Sequence, residues 1–219
     1  MVQLSKTSKL DGIRSWSLQA VETCPGSAAP SLPEGLVDAC RGCYARTGMY
    51  NMPNVIQPRE FNRGDWKREE WVAEMVLALK KQKFFRWFDS GDMYDIKLAH
   101  KILAIMELTP HVQHWLPTRM AKFAKFGPVI RAMQALPNVM VRFSSDSVTG
   151  EYEQGVHGSV ICQTADDQPA GTKLCEAYDH NGKCNGCRAC YNKSIPVIAY
   201  PAHGRKMAKV IMMKKVAAQ

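Results

Sequence analysis

Cysteine placement constrains this chain more than any other feature of its sequence. Seven of its eight cysteines fall into two groups separated by more than a hundred residues. The stretch from Met1 to Asp11 has no apolar core of the kind found in secretory signals, so we expect a cytoplasmic protein whose thiols stay reduced. A chain of 219 residues can bury a substantial core without disulfides. The cysteines are therefore predicted to hold metal at two places.

The C-terminal group has the sharper spacing. Cys175 is followed by Cys184, Cys187 and Cys190, the last three separated by two residues each. Four thiolates suit a [4Fe-4S] cluster, one for each iron, and the close run resembles that of bacterial ferredoxins. Zinc is the alternative, although zinc sites more often use two separated pairs. Gly182 and Gly186 favour a chain that wraps closely around a cluster.

The eighth cysteine, Cys162, stands alone at the end of a predicted strand. A buried, inert thiol and a substitute ligand are both open interpretations.

The N-terminal group has only three cysteines, Cys24, Cys40 and Cys43, with fifteen residues between the first two. Three thiolates leave one iron of a [4Fe-4S] cluster without a protein ligand, and that open position can take a substrate or cofactor. The same reasoning separates catalytic from structural zinc sites. A zinc site completed by a histidine, or free thiols, are the alternatives.

Strand-like runs alternate with amphipathic helical stripes along the chain. The predicted strands are 15–20, 84–88, 114–117, 139–143, 158–162 and 197–200. Helical stripes are predicted around 71–79 with Asp65 as N-cap, 96–106 and 129–133, and the basic stretch 205–215 is predicted as a strand or helix. This alternation favours an α/β fold, a partial (βα) barrel of about six mostly parallel strands. Residues 1–160 would form the barrel, and 161–219 a cysteine-rich C-terminal cluster-binding segment.

The formal charge of +9 indicates an anionic partner or a well-solvated basic surface. Nucleic acid is one such partner, contacted through basic residues near both termini and through Lys80, Lys81 and Lys83. No stretch approaches the roughly 20 apolar residues that span a bilayer, so no membrane partner is expected.

Three motifs near the N-terminus carry a family resemblance: Ser15-Trp16-Ser17-Leu18, Cys24-Pro25-Gly26 and Cys40-Arg41-Gly42-Cys43-Tyr44-Ala45. Together with Cys175 to Tyr191 and Tyr200-Pro201-Ala202-His203, they resemble bacteriophage-encoded radical S-adenosylmethionine (SAM) proteins, most closely the gene product 88 family. The resemblance covers about residues 15–203. The gap after Cys24 is longer than that superfamily usually has, and Tyr44 follows Cys43 where most relatives place an aromatic residue before it.

The resemblance implies a [4Fe-4S] cluster on Cys24, Cys40 and Cys43 whose open iron binds SAM. It also implies cofactor contacts at the ends of successive strands. Asp89-Ser90-Gly91-Asp92 stands where the superfamily receives the SAM amino group, and an N-cap for a following helix explains the same residues. The other implied contacts are Tyr44 with the adenine, Thr118, Ser144, Ser145 and Asp146 with the ribose, and Arg119 with the SAM carboxylate.

Two functions follow as hypotheses. The first is a radical SAM enzyme in which a reductant such as flavodoxin or ferredoxin supplies electrons through the four-cysteine cluster. The second is a non-catalytic iron-sulphur or zinc protein that binds nucleic acid or another phage or host partner. If the chain is phage-encoded, the host cytoplasm is its expected location.

Overall fold

The computed structural model describes residues 1–217, which form a mixed α/β structure around one eight-stranded sheet. The strands are β1 (Ser5–Lys6), β2 (Arg14–Trp16), β3 (Phe84–Trp87), β4 (Gln113–Thr118), β5 (Val139–Ser144), β6 (Gly158–Cys162), β7 (Lys173–Leu174) and β8 (Val197–Pro201). Their order in the sheet is β1-β2-β3-β4-β5-β6-β8-β7, and every pair is parallel except β1 with β2.

Strands are present at all six predicted places, although the first ends at Trp16 and not at residue 20. The sheet has two more strands, so the expected count of about six was too low. The additional strands, β1 and β7, are two residues long and lie at the two edges of the sheet. β7 and β8 come from the predicted C-terminal segment and extend the same sheet that β2 to β6 form.

In the described part of the chain, six α-helices accompany the sheet: α1 (Asp38–Arg41), α2 (Pro53–Asp65), α3 (Trp71–Leu79), α4 (Ile96–Leu108), α5 (Gly127–Ala135) and α6 (Arg205–Ala217). The three predicted amphipathic helices are confirmed, and the basic C-terminal stretch is a helix. Asp65 was wrongly predicted as the N-cap of α3, since it ends α2. A different aspartate, Asp95, caps α4, where its carboxylate accepts a hydrogen bond from the amide of Lys97.

The two faces of the sheet have different coverings because successive strand residues point to opposite sides. One face packs with helices α3, α4 and α5 into the main core, which includes Trp16, Phe85, Trp87 and Val141. The other face carries Trp115 and Met140, which pack with Leu10 and Tyr191. Tyr191 directly follows the last cysteine, so the cysteine-rich segment covers this second face.

Among residues 1–217, no helix combines the length and apolarity that crossing a membrane requires.

His114 on β4 is buried in the main core as a neutral imidazole. Its Nε2 lies 2.9 Å from the Thr109 hydroxyl, which itself donates to the Ile105 carbonyl, so Nε2 must be the donor. Its Nδ1 accepts a hydrogen bond from the Trp87 indole at 3.3 Å. Both ring nitrogens are therefore satisfied without a charge. Burial, with a smaller contribution from His111, lowers the pKa of His114 from 6.5 to about 3.

We expect this histidine to weaken the fold in mild acid. The unfolded chain takes up the proton near pH 6.5 and the folded chain only near pH 3, so stability is lost as pH falls between these values. Between pH 6.5 and 5.0 the loss should reach about 1.6 kcal/mol, because the slope is half of its limiting 1.4 kcal/mol per pH unit at pH 6.5 and approaches that limit below it. Urea unfolding at both pH values should give His114→Gln a flatter pH dependence than the wild type. His100→Gln, on the exposed side of α4, should keep the wild-type slope, and equal slopes in all three proteins would contradict the prediction.

Candidate functional site

Both cysteine groups meet at one cavity of about 640 Å³. Six of the seven grouped cysteines line it: Cys24, Cys40, Cys43, Cys175, Cys184 and Cys190. The seventh, Cys187, is exposed. The pKa of Lys173 is raised, mainly by its hydrogen bond to Glu176 and to a smaller extent by Cys187 and Cys175. The fold thus brings together two groups that are far apart in the sequence.

The cavity lies at the carboxyl ends of the parallel strands, the edge at which α/β folds bind ligands. The predicted cofactor residues that line it are Tyr44, Ser90, Gly91, Asp92, Thr118, Arg119 and Ser144, together with Ser145. Asp146 is set back from the cavity. It forms ion pairs with Arg119 at 3.3 Å and with Lys122.

Close backbone contacts fix the N-terminal cysteine loop to these strand ends. Gly26 lies against Arg119 so tightly that an added Cβ would come within 2.6 Å of the Arg119 Cβ. Its carbonyl accepts a hydrogen bond from Lys122 at 2.8 Å, and the amide of Ala39 donates to the Asp146 carbonyl at 3.0 Å. Gly42, between Cys40 and Cys43, packs equally closely against Met207 of α6. The long gap between Cys24 and Cys40 therefore forms an anchored loop.

Burial raises the pKa of two thiols of this loop, Cys24 and Cys40. Burial, followed by the charge of Asp92, raises the pKa of Cys24 to about 12. Burial also raises the pKa of Cys40, although the Arg119 guanidinium acts in the opposite direction. Smaller effects of Cys40 and Cys43 raise the pKa of Cys24 further. Metal binding at such a site must displace protons and should weaken as the pH falls.

Asp92 joins the end of β3 to the end of β4. Its carboxylate accepts hydrogen bonds from the Thr118 hydroxyl at 2.7 Å, the Arg119 amide at 2.8 Å and the Met93 amide at 2.8 Å. Burial raises its pKa while these donors lower it. Asp92 and Thr118 are thus engaged with each other, and few of their acceptor positions remain for a ligand.

The neighbouring residues of the same turn also have partners within the chain. The Ser90 hydroxyl donates to the Leu18 carbonyl at 2.7 Å, and Gly91, at a φ of +80°, lies against Leu18 and Thr23 with no room for a Cβ. The predicted helix cap at this turn is wrong, because α4 begins later at Ile96. The turn instead fastens β3 to the chain that leads into Cys24.

Tyr44 forms part of the cavity wall and is 40% exposed, so it is not a core residue. Its hydroxyl donates to the Asp89 carbonyl at 2.8 Å, and its ring contacts Tyr50 and His203 at centroid distances of 5.3 Å and 6.0 Å. Tyr44 follows Cys43 in the sequence, and its partly exposed ring offers the cavity a surface on which a planar ligand group can stack.

The C-terminal cysteine loop is held by backbone hydrogen bonds. The Cys175 amide donates to the Ala199 carbonyl at 2.8 Å, and the Cys184 amide donates to Lys9 at 2.7 Å. Gly186, at a φ of +81°, donates its amide to the Asp11 carboxylate at 3.0 Å. The Cys190 sulfur lies 3.2 Å from the Tyr200 hydroxyl. These contacts tie the loop to β8 and to the N-terminal residues.

Cys162 lies at the end of β6 in an apolar cluster with Val160, Val197 and Ala199. It is 1% exposed and is not among the residues that line the cavity. This environment agrees with a buried structural thiol.

Within residues 1–217, no group of three or more His, Cys, Asp or Glu side chains is arranged to hold a metal ion.

Sequence reasoning missed a second set of cavity residues, Arg59, Arg86 and Tyr50. Arg86 interrupts the apolar run Phe84-Phe85-Arg86-Trp87-Phe88, and a charged residue within a buried strand was the available signal. Arg59 lies on α2, which was not predicted because it has no clear apolar stripe and contains Pro58.

Comparison with known proteins gives one match. No curated protein and no solved structure matches the chain, but the family model described as gene product 88 matches residues 2–211. That match covers nearly the whole chain and agrees with a protein of bacteriophage type. The chain belongs to the gene product 88 family.

Proposed function

We propose that this chain is an iron-sulphur protein that binds SAM and cleaves it reductively. Cys24, Cys40 and Cys43 would hold a [4Fe-4S] cluster with one open iron, and Cys175, Cys184, Cys187 and Cys190 a second, closed cluster for structure or electron transfer. When bound, the first cluster would deliver one electron to SAM. The meeting of both cysteine groups at one cavity carries this proposal.

The donor set supports clusters better than single ions. A cube binds each thiolate through a different iron, so its ligands are spread around the cluster and need not converge on one point. Three cysteines of each group line the cavity. A cavity of about 640 Å³ is also large enough for a nucleoside-sized ligand, since small-molecule sites span about 300–1,000 Å³.

The surrounding side chains would bind and orient SAM. Arg119 donates from Nη2 to the Ser145 carbonyl at 2.8 Å and from Nε to Asp146, which fixes its guanidinium at the cavity. A fixed guanidinium suits a carboxylate. Tyr44 would offer an aromatic face for adenine, and Ser144 and Ser145, which line the same cavity, would offer oxygen atoms for the ribose. Asp92 would act mainly by holding Thr118 and Arg119 in place.

Anaerobic purification tests this proposal through metal content. About eight irons with matching sulphide are expected per chain, four for each cube. Addition of SAM should then change the electron paramagnetic resonance spectrum of the reduced protein, and dithionite should yield 5′-deoxyadenosine. Stoichiometric zinc without iron would overturn the cluster assignment. A full complement of iron with a spectrum indifferent to SAM would remove only the SAM function.

A second candidate is a metal-binding protein that contacts nucleic acid, favoured by helix α6. Its described residues include Arg205, Lys206, Lys209, Lys214 and Lys215 and no acidic residue. Phosphate contacts from such a helix would weaken steeply with salt. DNA or RNA affinity that survives loss of both clusters and falls with salt would favour this candidate.

A further inference from the structure

Two buried arginines beside the cavity share a single carboxylate. Arg86 on β3 is 9% exposed and Arg59 on α2 is 6% exposed. The Arg86 guanidinium lies 2.8 Å from one oxygen of Asp89, and that of Arg59 lies 3.9 Å from the other, which is too far for a hydrogen bond. Two positive charges thus face one negative charge. Both arginines line the cavity.

Each guanidinium also retains an unused donor. The Nη1 of Arg59 and the Nε of Arg86 are buried, and neither has a hydrogen-bond partner in the part of the chain described. Most buried polar atoms are paired, so two unpaired donors on adjacent arginines indicate that a partner is missing from the chain itself.

Aromatic rings surround the pair and limit its hydration. Arg59 lies 4.6 Å from the ring centre of Tyr50, and Arg86 lies 4.6 Å from that of Trp115. These cation–π contacts stabilise the side chains, but they supply no negative charge. With little water present, an uncompensated charge is costly and an anion is attracted strongly.

We infer that Arg59 and Arg86 bind the anionic group of a small substrate, a carboxylate or a phosphate. Guanidinium groups match both oxyanions in shape and charge. The inference rests on the proposed function, since it names the substrate class of the same cavity.

Titration calorimetry under anaerobic conditions, at constant ionic strength and without SAM, tests the inference with inorganic phosphate and acetate as separate probes. Wild-type protein should bind at least one of them, and the preferred probe distinguishes phosphate from carboxylate. Arg59→Gln and Arg86→Gln should each weaken that binding at least tenfold. Arg63→Gln is the matched control one turn along α2, where the side chain is 55% exposed and pairs with Glu22, and should bind as the wild type does.

Asp89→Asn gives a result of opposite sign. Removing the carboxylate that competes for both arginines should strengthen anion binding, whereas a purely structural arginine pair would gain nothing. This variant and Arg59→Gln keep the test decisive if Arg86→Gln does not fold.

Absence of binding by both probes, or equal binding by wild type and both arginine variants, would overturn the inference. Loss of phosphate or acetate binding when SAM is added would also overturn the substrate assignment, because the pair would then serve SAM itself. The proposed function is judged separately, from the spectrum of the reduced protein with SAM. Anion binding without a SAM response would remove the SAM function but leave the anion site.

Discussion

Replacing Arg142 by methionine should cost the chain about 4 kcal/mol of unfolding free energy, together with the metal proposed for its C-terminal cysteines. Arg142 lies on β5 with no exposed surface. Its guanidinium donates to six backbone carbonyls at 3.0–3.3 Å, those of Gly158, Ala189, Cys190, Asn192, Ile195 and Pro196. Five of the six belong to the chain that begins one residue before Cys190.

The size of this loss of unfolding free energy depends on how many carbonyls have Arg142 as their sole hydrogen-bond donor. Ala189, Asn192 and Pro196 each also accept a backbone amide hydrogen bond. The carbonyls of Cys190 and Ile195 have no other donor among the residues described, so the substitution would leave both unsatisfied. An unsatisfied buried acceptor costs about 1–3 kcal/mol, and the remaining weakened contacts add to that cost.

The charge of Arg142 contributes as well. Burial lowers its pKa, and no carboxylate pairs with it in the described chain. The oxygens of the six backbone carbonyls carry the partial negative charge that compensates the guanidinium. A cluster on the four cysteines would bring more negative charge, which a fixed guanidinium stabilises. Methionine fills similar space but removes both the donors and the charge.

Urea unfolding and iron analysis on anaerobic protein would check this expectation. Arg131→Met is the matched control, since Arg131 lies exposed on α5 and should change stability by less than about 0.5 kcal/mol. We expect Arg142→Met to lose the iron of one cluster while Arg131→Met keeps all of it. Full iron content and wild-type stability in Arg142→Met would contradict the prediction.

The main elements of the fold were predictable because they carry strong periodic patterns. The apolar runs of β3 to β6 and β8 predict strands, and the apolar stripes of α3 to α5 predict helices. The edge strands β1 and β7 do not, because two residues form a strand only through the neighbour that pairs with them. Helix α2 was not predicted because it packs without a continuous apolar stripe.

Most of the residues that line the candidate site were predictable, but the meeting of the two cysteine groups at one cavity was not. Spacing alone separates the cysteines into two groups, and strand ends alone indicate Asp92, Thr118 and Arg119. No local pattern predicts that Cys43 and Cys175 line the same cavity, since that requires β8 to pair with β6 and the last loop to cover the second face of the sheet. The anchoring role of Asp92 also depends on the position of β4, which only the folded chain provides.

The two cysteine groups should separate cleanly when they are removed one at a time. A triple variant, Cys24→Ser, Cys40→Ser and Cys43→Ser, should lose about four irons per chain, the content of one cube, and all spectral response to SAM. Serine nearly matches cysteine in size but is a poor ligand for iron. The loop should stay folded, because its anchors at Gly26, Ala39 and Gly42 are backbone contacts that the substitutions leave unchanged.

The matching variant of Cys175, Cys184, Cys187 and Cys190 should also lose about four irons but retain the response to SAM when the protein is reduced chemically. Cys162→Ser is the control for the substitution itself. Its sulfur lies in an apolar cluster away from the cavity, so it should keep the full iron content even if it lowers stability. An iron content unchanged by either group variant would show that the group holds no cluster. Loss of iron in Cys162→Ser equal to that of a group variant would mean that the buried thiol is itself a ligand.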